Sequence, residues 1–174
     1  MLFILSNKCK GLTNKKGGSD LRELFEREFP KHEKSLFLVA AAYLHNTEDA
    51  KDAVQETAIS AYQAIDTLKH AEYFKTWLTR ILINKCKNCL KARRSTEELT
   101  DSLNVFCSIP TADMEIMDAI CRMDKASSIY IILRFYNDMN FDEVARALSQ
   151  PVSTVKYRTK KALRELKELL EGDV

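Results

Sequence analysis

Glycine and proline are scarce in this chain, which has only four glycines and three prolines among its 174 residues. Both residues interrupt helices and favour turns, so their scarcity leaves few places for a turn-rich fold. Hydrophobic residues make up 45% of the chain and charged residues 30%, which suits a soluble, mostly helical protein. We therefore expect an all-α protein with one large or two small domains.

The sequence also lacks the usual marks of an enzyme. It has no glycine-rich phosphate loop, no internal repeat and no Ser/His/Asp arrangement. Its three histidines, His32, His45 and His70, are interpreted as surface or capping residues. The sequence therefore predicts no catalytic residue, no cofactor and no metal site.

Long apolar runs and a disulfide framework are missing as well. Met1 to Leu5 is apolar but far too short to cross a bilayer, and its nearby charges, Lys8 and Lys10, follow it instead of preceding it as in a signal peptide. Five cysteines are an odd number without framework spacing. We expect a cytoplasmic protein with no membrane insertion.

Two of the cysteines, Cys86 and Cys89, form a Cys-x-x-Cys pair. Such a pair can be half of a zinc site or a redox pair, but no second cysteine pair or histidine stands at a supporting distance. Both continue the apolar stripe of a long helix. We interpret them as small buried hydrophobic residues, with a redox or zinc sensor left as an alternative.

What the sequence does have is a helix pair near its end. Phe141, Val144, Ala145 and Leu148 form one apolar face, and Ser149-Gln150-Pro151 interrupts the pattern. A second amphipathic helix follows, with the buried positions Val155, Thr159, Ala162, Leu166 and Leu169. Its other side carries five positive charges and no acid between Lys156 and Arg164. This predicts a helix-turn-helix with a DNA-recognition helix, although a solvated basic face is the plainer alternative.

Charge is segregated earlier in the chain. Tyr73 to Thr96 has seven lysines and arginines and no acid, on a predicted helix with an apolar face of Phe74, Trp77, Leu78 and neighbours. A basic helix with nearby aromatic rings fits nucleic acid. A helix from Thr47 to Ile65 instead has acids over its first turns. Acids favour a helix amino terminus, but these extend too far for that reason alone. We expect two surfaces with different partners.

The remaining stretches predict the domain organisation. An apolar pattern from Leu21 to Leu44 is structural, with a kink or break at Pro30. Residues 95–112 lose periodicity, which predicts a flexible linker. The predicted order is a tail at 1–18, a helical domain at 19–94, the linker at 95–112 and a helix-turn-helix domain at 113–174.

Three stretches in this order resemble the extracytoplasmic-function (ECF) sigma factors of bacterial RNA polymerase: NTEDAKDAVQETAISAY, FKTWLTRILINKCKNCLKARR and FDEVARALSQPVSTVKYRTKKALRELK. The resemblance covers about residues 20–170. The chain departs from the family pattern at Ala53, at Tyr157, where a small residue is common, and in the basic residues near Lys160. The resemblance implies domains of the sigma region 2 and region 4 types, and a non-enzymatic factor that directs core polymerase to promoters and melts them.

The resemblance also implies three groups of site residues. Those facing polymerase are Asp49, Asp52, Gln55 and Glu56. Those facing the melted upstream promoter element are Lys69, His70, Trp77, Arg80, Asn84, Lys87, Lys91, Arg93 and Arg94. Those facing the distal duplex element are Ser153, Thr154, Lys156, Tyr157, Arg158, Lys160 and Lys161. The implied partners are core RNA polymerase, promoter DNA and an anti-sigma factor. The alternative is a stand-alone helix-turn-helix regulator that dimerises on a palindromic site.

Overall fold

The computed structural model describes residues 18–94 and 114–172, and every regular element in these ranges is helical. The first group comprises α1 (Gly18–Leu44), α2 (Thr47–Gln63), two short 3₁₀ turns (Ile65–Thr67 and Ala71–Tyr73) and α3 (Phe74–Arg94). The second comprises α4 (Met114–Arg122), α5 (Lys125–Ile131) with a π-helical turn (Ile132–Tyr136), α6 (Phe141–Leu148) and α7 (Val152–Glu171). The all-α prediction is confirmed. The predicted tail, apart from Gly18, and the predicted linker lie outside the described residues.

Helix α1 runs through Pro30, so of the predicted kink or break at this residue the break is wrong. Proline inside a helix costs about 3 kcal/mol, because it removes a backbone donor and crowds the preceding turn. Burial of one large apolar side chain contributes about 1.5–3 kcal/mol. Phe25 and Phe29, which stack at 5.0 Å between ring centroids, are both buried just before the proline, and Leu36 is buried just after it. Packing on both sides therefore holds the helix together.

Helix α2 buries the predicted alanine-rich face, consisting of Ala50, Ala53, Val54, Ala58 and Ala61. Small side chains let α2 lie close against α1 and α3, with which it packs. Its first turn is capped by Asn46, whose Oδ1 accepts hydrogen bonds from the backbone N–H groups of Glu48 and Asp49 at 2.9 and 3.0 Å. The cap fixes where α2 begins and hence the direction of its acidic side chains.

Helix α3 is buried over much of its circumference. Phe74, Leu78, Leu82 and Cys86 recur every four residues and are buried, as the apolar pattern predicts. Thr79 and Ile83 are also fully buried, although the pattern gave no indication of this. The reason is that α3 packs on α6 of the second group as well as on α1 and α2. Only a narrow stripe of α3 faces solvent.

The helix-turn-helix forms as the sequence predicts. A capping box starts α6: Asn140 Oδ1 accepts from the N–H of Glu143 at 3.0 Å, and Glu143 Oε2 accepts from the N–H of Asn140 at 2.7 Å. Ser149 ends the helix in the left-handed conformation, with φ 55° and ψ 49°. The predicted inward positions of α6 and α7 are buried or half-buried. The turn therefore holds α7 at a fixed angle across α6.

The two groups of helices contact each other directly. Helix α3 packs on α6, and α1 packs on α5 and on the π-helical turn. Tyr43 of α1 lies beside Tyr130 of α5; burial first, and then the nearby Cys86 and Tyr130, raise the pKa of the Tyr43 phenol. Buried side chains of both groups belong to one hydrophobic cluster. The second group therefore lies against the first.

Candidate nucleic-acid and protein interfaces

An acidic surface lies on the exposed side of α2 and consists of Asp49, Asp52, Gln55 and Glu56. Asp52 follows Asp49 by three positions, and Gln55 and Glu56 follow Asp52 by three and four, so they share one face of the helix. Asp52, Gln55 and Glu56 are exposed, whereas Asp49 is half-buried. The structure therefore brings the four predicted polymerase-facing residues together.

Helix α3 supports the acidic surface from one side. The Lys85 ammonium lies 3.6 Å from Glu56 Oε2, and the Cys89 thiol donates to Asp49 Oδ2 at 3.9 Å. Burial, followed by the charges of Glu56 and Asp52, raises the pKa of Cys89. Deeper in the same helix, burial raises the pKa of Cys86 to about 12. Both thiols are therefore held in the protonated form, which is a poor metal ligand and a poor nucleophile.

The predicted upstream-element residues of α3 form a basic stripe, defined by Arg80, Asn84, Lys87 and Lys91. Their spacing of four, three and four residues aligns them along the solvent side of the helix. Arg80, Asn84 and Lys91 are exposed and Lys87 is half-buried. Trp77 is half-buried at the edge of this stripe and packs near Phe74, with 6.1 Å between ring centroids. The side chains of Arg93 and Arg94 lie outside the described part of the chain.

Lys69 and His70 lie in the turn that leads into α3, and both are exposed. His70 meets the ring of Tyr73 edge-on, at 5.7 Å between centroids. Tyr73 in turn lies under the guanidinium of Arg146, which is 5.1 Å from the ring centroid. Because Arg146 belongs to α6, a residue of the second group reaches the turn that the resemblance assigns to the melted element.

Two further contacts join α3 to the second group near the same turn. Lys75 Nζ donates to the backbone carbonyl of Asp138 at 3.4 Å. Thr76, which is 6% exposed, donates from its hydroxyl to Glu143 Oε1 at 3.5 Å. Glu143 thus caps α6 and contacts α3 at the same time. This interdomain contact, formed by Tyr73, Lys75, Thr76, Glu143 and Arg146, was not predicted from the sequence.

Helix α7 presents the third group of predicted residues to solvent. Ser153, Lys156, Tyr157, Arg158, Lys160 and Lys161 are exposed, and Thr154 is half-buried. Four of these are cations, and α7 begins immediately after the turn at Ser149–Pro151. The predicted basic face is therefore present, and it begins at the amino-terminal end of the helix.

Two cations of α7 make cation–π contacts with aromatic rings of their own domain. The Arg158 guanidinium lies 6.0 Å from the ring centroid of Tyr130, whose hydroxyl donates to Gln150 Oε1 at 2.8 Å. The Lys156 ammonium lies 5.8 Å from the ring centroid of Phe141. These contacts limit the directions that each side chain can take. Lys160 and Lys161 extend from the next turn of the helix.

The interdomain residues were missed because no local pattern reveals them. Tyr73 and Arg146 are far apart in the chain, and each fits an ordinary surface position in its own helix or turn. Their sign is visible only in the structure, where Thr76, Thr79 and Ile83 are buried although they lie outside the main apolar face of α3. A helix with two buried faces needs two packing partners.

Two family models match the chain, one in each group of helices. The model for sigma-70 region 2 matches residues 29–96, and the model for sigma-70 region 4 matches residues 123–168. The first match contains the acidic surface and the basic stripe. The second contains the helix-turn-helix. No helix in the described ranges is long and apolar enough to cross a membrane.

The individual proteins that the chain resembles are also sigma factors. The chain is 27% identical to RNA polymerase sigma factor SigV of Bacillus subtilis, over 76% of this chain and 82% of SigV. It is 26% identical to ECF RNA polymerase sigma factor SigM of Mycobacterium tuberculosis, over 86% of this chain and 78% of SigM. Its fold is similar to that of the sigma factor RpoE of Bartonella quintana, solved in complex with the anti-sigma factor NepR. The TM-score is 0.73 at 22% identity, over 86% of this chain and 98% of RpoE.

Proposed function

The chain belongs to the ECF group of the sigma-70 family, and from this premise we propose which of its surfaces performs each step of transcription initiation. As an RNA polymerase sigma factor it directs core polymerase to specific promoters. The acidic surface of α2 contacts core polymerase. The basic stripe of α3, with Lys69, His70, Trp77, Arg93 and Arg94, handles the melted upstream element. The exposed face of α7 meets the distal duplex element.

The observation that carries this proposal is the exposed acidic surface. The two proposed DNA-facing surfaces, on α3 and α7, are cationic instead. Carboxylates repel phosphate, so Asp52 and Glu56 cannot help to hold nucleic acid. They are complementary to a basic protein surface, and like charge placed across such an interface can cost several kcal/mol. A stand-alone regulator has no need of this surface, whereas a factor that works only with polymerase does.

The test reverses the charge of the acidic surface. Asp52→Lys with Glu56→Lys should keep the helical circular-dichroism signal, because both side chains are exposed. Promoter-specific transcription with core polymerase should fall to background, and binding of the variant to core polymerase should weaken. The matched control is Glu23→Lys with Glu26→Lys, which makes the same change of net charge at exposed positions of α1. Normal transcription by the folded α2 variant would refute the polymerase-contact assignment.

The two DNA-facing groups differ in what they recognise. In the upstream group, cations contact the backbone, and a flipped base is read in a protein pocket at the cost of unstacking it. In the distal group, α7 enters the major groove of intact duplex. The effect of a substitution should therefore depend on whether the upstream element of the template is already melted. Substitutions in α3 should be partly rescued by a pre-melted upstream element, whereas substitutions in α7 should not.

We also propose an anti-sigma protein as a partner and the cytoplasm as the place of action. The support for the first is that the similar RpoE was solved in complex with the anti-sigma factor NepR. Such a partner would have to cover the acidic surface, the DNA-facing helices, or both. Affinity purification from cells in several growth conditions should yield a second protein that competes with polymerase. Recovery of polymerase alone in every condition would count against it.

A further inference from the structure

Tyr157 is the most exposed large hydrophobic side chain in the described ranges, with 66% of its surface accessible. A single exposed aromatic residue on a protein surface is ordinary and needs no special reason. Its position makes this one different. It stands on the recognition helix α7 between Lys156 and Arg158, in a surface that is otherwise polar and cationic.

The helical geometry places Tyr157 at the centre of the face that points away from the domain. The buried side of α7 is formed by Val155, Thr159, Ala162 and Leu166. At about 100° per residue, Tyr157 and Arg164 project almost opposite to the middle of that buried side. Ser153 and Lys160 lie one turn before and one turn after Tyr157 on the same stripe. Tyr157 is therefore the side chain in the first two turns that reaches furthest from the domain.

A recognition helix contacts base edges with the residues of its amino-terminal part, while cations on its flanks contact phosphates. Lys156 and Arg158 flank Tyr157, and both are braced by rings of their own domain. Cations bound to phosphates give affinity but no sequence preference. The apolar ring of Tyr157 between them has one apolar counterpart in the major groove, the 5-methyl group of thymine.

We propose that Tyr157 is a specificity-determining residue whose ring contacts the 5-methyl group of a thymine in the distal promoter element. This inference rests on the proposed role of α7 and adds to it the base and the chemical group that are read. The contact is apolar, so the phenol hydroxyl is not required. A protein partner for Tyr157 is disfavoured because the surrounding cations are complementary to phosphate.

The experiment uses the full chain with core RNA polymerase and a library of duplex templates in which the distal element is random. Transcribed templates are selected and sequenced for the unsubstituted protein and for Tyr157→Phe and Tyr157→Ala. The matched control is Leu163→Ala, another exposed apolar residue of α7, at 42% accessibility, that lies about 120° around the helix from Tyr157. The unsubstituted protein, Tyr157→Phe and Leu163→Ala should select a thymine at one position. Tyr157→Ala should lose this preference for thymine and keep the base preferences at the other positions of the element.

The second measurement removes only the methyl group, by replacing the selected thymine with deoxyuridine. The half-saturating holoenzyme concentration should rise about three- to fivefold for the unsubstituted protein and for Tyr157→Phe, the size expected from one buried methyl group. It should change little for Tyr157→Ala, because the two changes remove the same contact.

The possible failures are distinguishable. If the unsubstituted holoenzyme selects no distal element, the proposed role of α7 fails and the inference fails with it. Another possible result is that an element is selected, while deoxyuridine raises the half-saturating concentration of the unsubstituted holoenzyme and of Tyr157→Ala equally at every position. In that case only the inference is overturned. A uniform loss on all templates with Tyr157→Ala would assign Tyr157 to a phosphate or protein contact and would also overturn it.

Discussion

At the scale of single residues, the chemistry of each functional side chain is set by its neighbours. Cys86 and Cys89 are three positions apart in one helix but lie in different surroundings. Cys86 is fully buried among apolar side chains, whereas Cys89 is half-buried beside Asp49 and the acidic surface. In both cases the thiolate is disfavoured, by loss of hydration and, at Cys89, by nearby negative charge as well.

The two thiols should therefore react slowly and at different rates. In the native protein near neutral pH, iodoacetamide should label Cys89 more slowly than free cysteine, and Cys86 only after unfolding, because its pKa is about 12. Labelling of Cys89 should accelerate as pH rises, since the thiolate is the reactive form. Peptide mapping by mass spectrometry separates the sites.

The charge-reversed variant of the acidic surface provides the control for this prediction. Asp52→Lys with Glu56→Lys removes two negative charges that raise the pKa of Cys89. Labelling of Cys89 should become faster, while Cys86 should stay protected in the folded state. Rapid labelling of both thiols in the unsubstituted protein would contradict the packing of α3 and favour the redox alternative.

Lys160 offers the cleaner test of a phosphate contact on α7. Arg158 is braced by Tyr130, so its removal changes packing as well as charge. Lys160→Gln removes one charge at an exposed position. Promoter binding by the holoenzyme should weaken, and the slope of log affinity against log salt should fall by about one. An unchanged slope would indicate that Lys160 is merely solvated.

At the scale of elements, short polar motifs fix where the functional helices begin. Asn46 caps α2, and Asn140 with Glu143 caps α6. Each cap satisfies backbone donors that would otherwise lack partners at a helix start. The caps thereby set the direction of the acidic surface on α2 and the approach of α6 to α3.

The cap of α2 should contribute measurably to stability. Asn46→Ala removes the acceptor for two N–H groups and should lower the free energy of unfolding by about 1 kcal/mol. Asn46→Asp should recover most of this, because aspartate caps equally well. Chemical denaturation followed by circular dichroism gives both values. Equal stability of Asn46→Ala and the unsubstituted protein would mean that the cap contributes nothing.

At the scale of the whole molecule, the two groups of helices lie against each other through α1, α3, α5 and α6. The interdomain contact places α6 beside the turn that carries Lys69 and His70. Its individual bonds are long: Lys75 to Asp138 is 3.4 Å and Thr76 to Glu143 is 3.5 Å. Hydrogen bonds of this length are weak, so we expect the apolar burial around them to supply most of the docking energy.

A carboxylate placed in the interdomain contact should separate the groups without unfolding them. Thr76→Glu puts a negative charge against Glu143 at a position only 6% exposed. The radius of gyration from small-angle scattering should increase, and the helical circular-dichroism signal should persist. Gln63→Glu, which makes the same change of charge at an exposed position of α2, should leave the radius unchanged. An unchanged radius for Thr76→Glu would show that the contact does not hold the groups together.

Local patterns in the sequence were sufficient for most of the elements. The helix-turn-helix, the buried face of α2 and the main apolar stripe of α3 follow from periodicity alone, because each helix hides one apolar face. The three groups of site residues are instead implied by the resemblance to ECF sigma factors, and helical geometry explains why the members of each helix share a face. Their roles in binding stay predictions. Pro30 was misjudged as a possible break because a local cost was weighed without the packing of Phe25, Phe29 and Leu36 that offsets it.

The tertiary structure alone decided how the elements meet. Three observations depend on residues that are distant in sequence. They are the burial of Thr79 and Ile83, the position of Arg146 over Tyr73 and the contact of Cys89 with Asp49. A sequence states which face of a helix is apolar, but not which partner covers a second face. That choice depends on shape and charge across the interface, and these exist only once the helices are assembled.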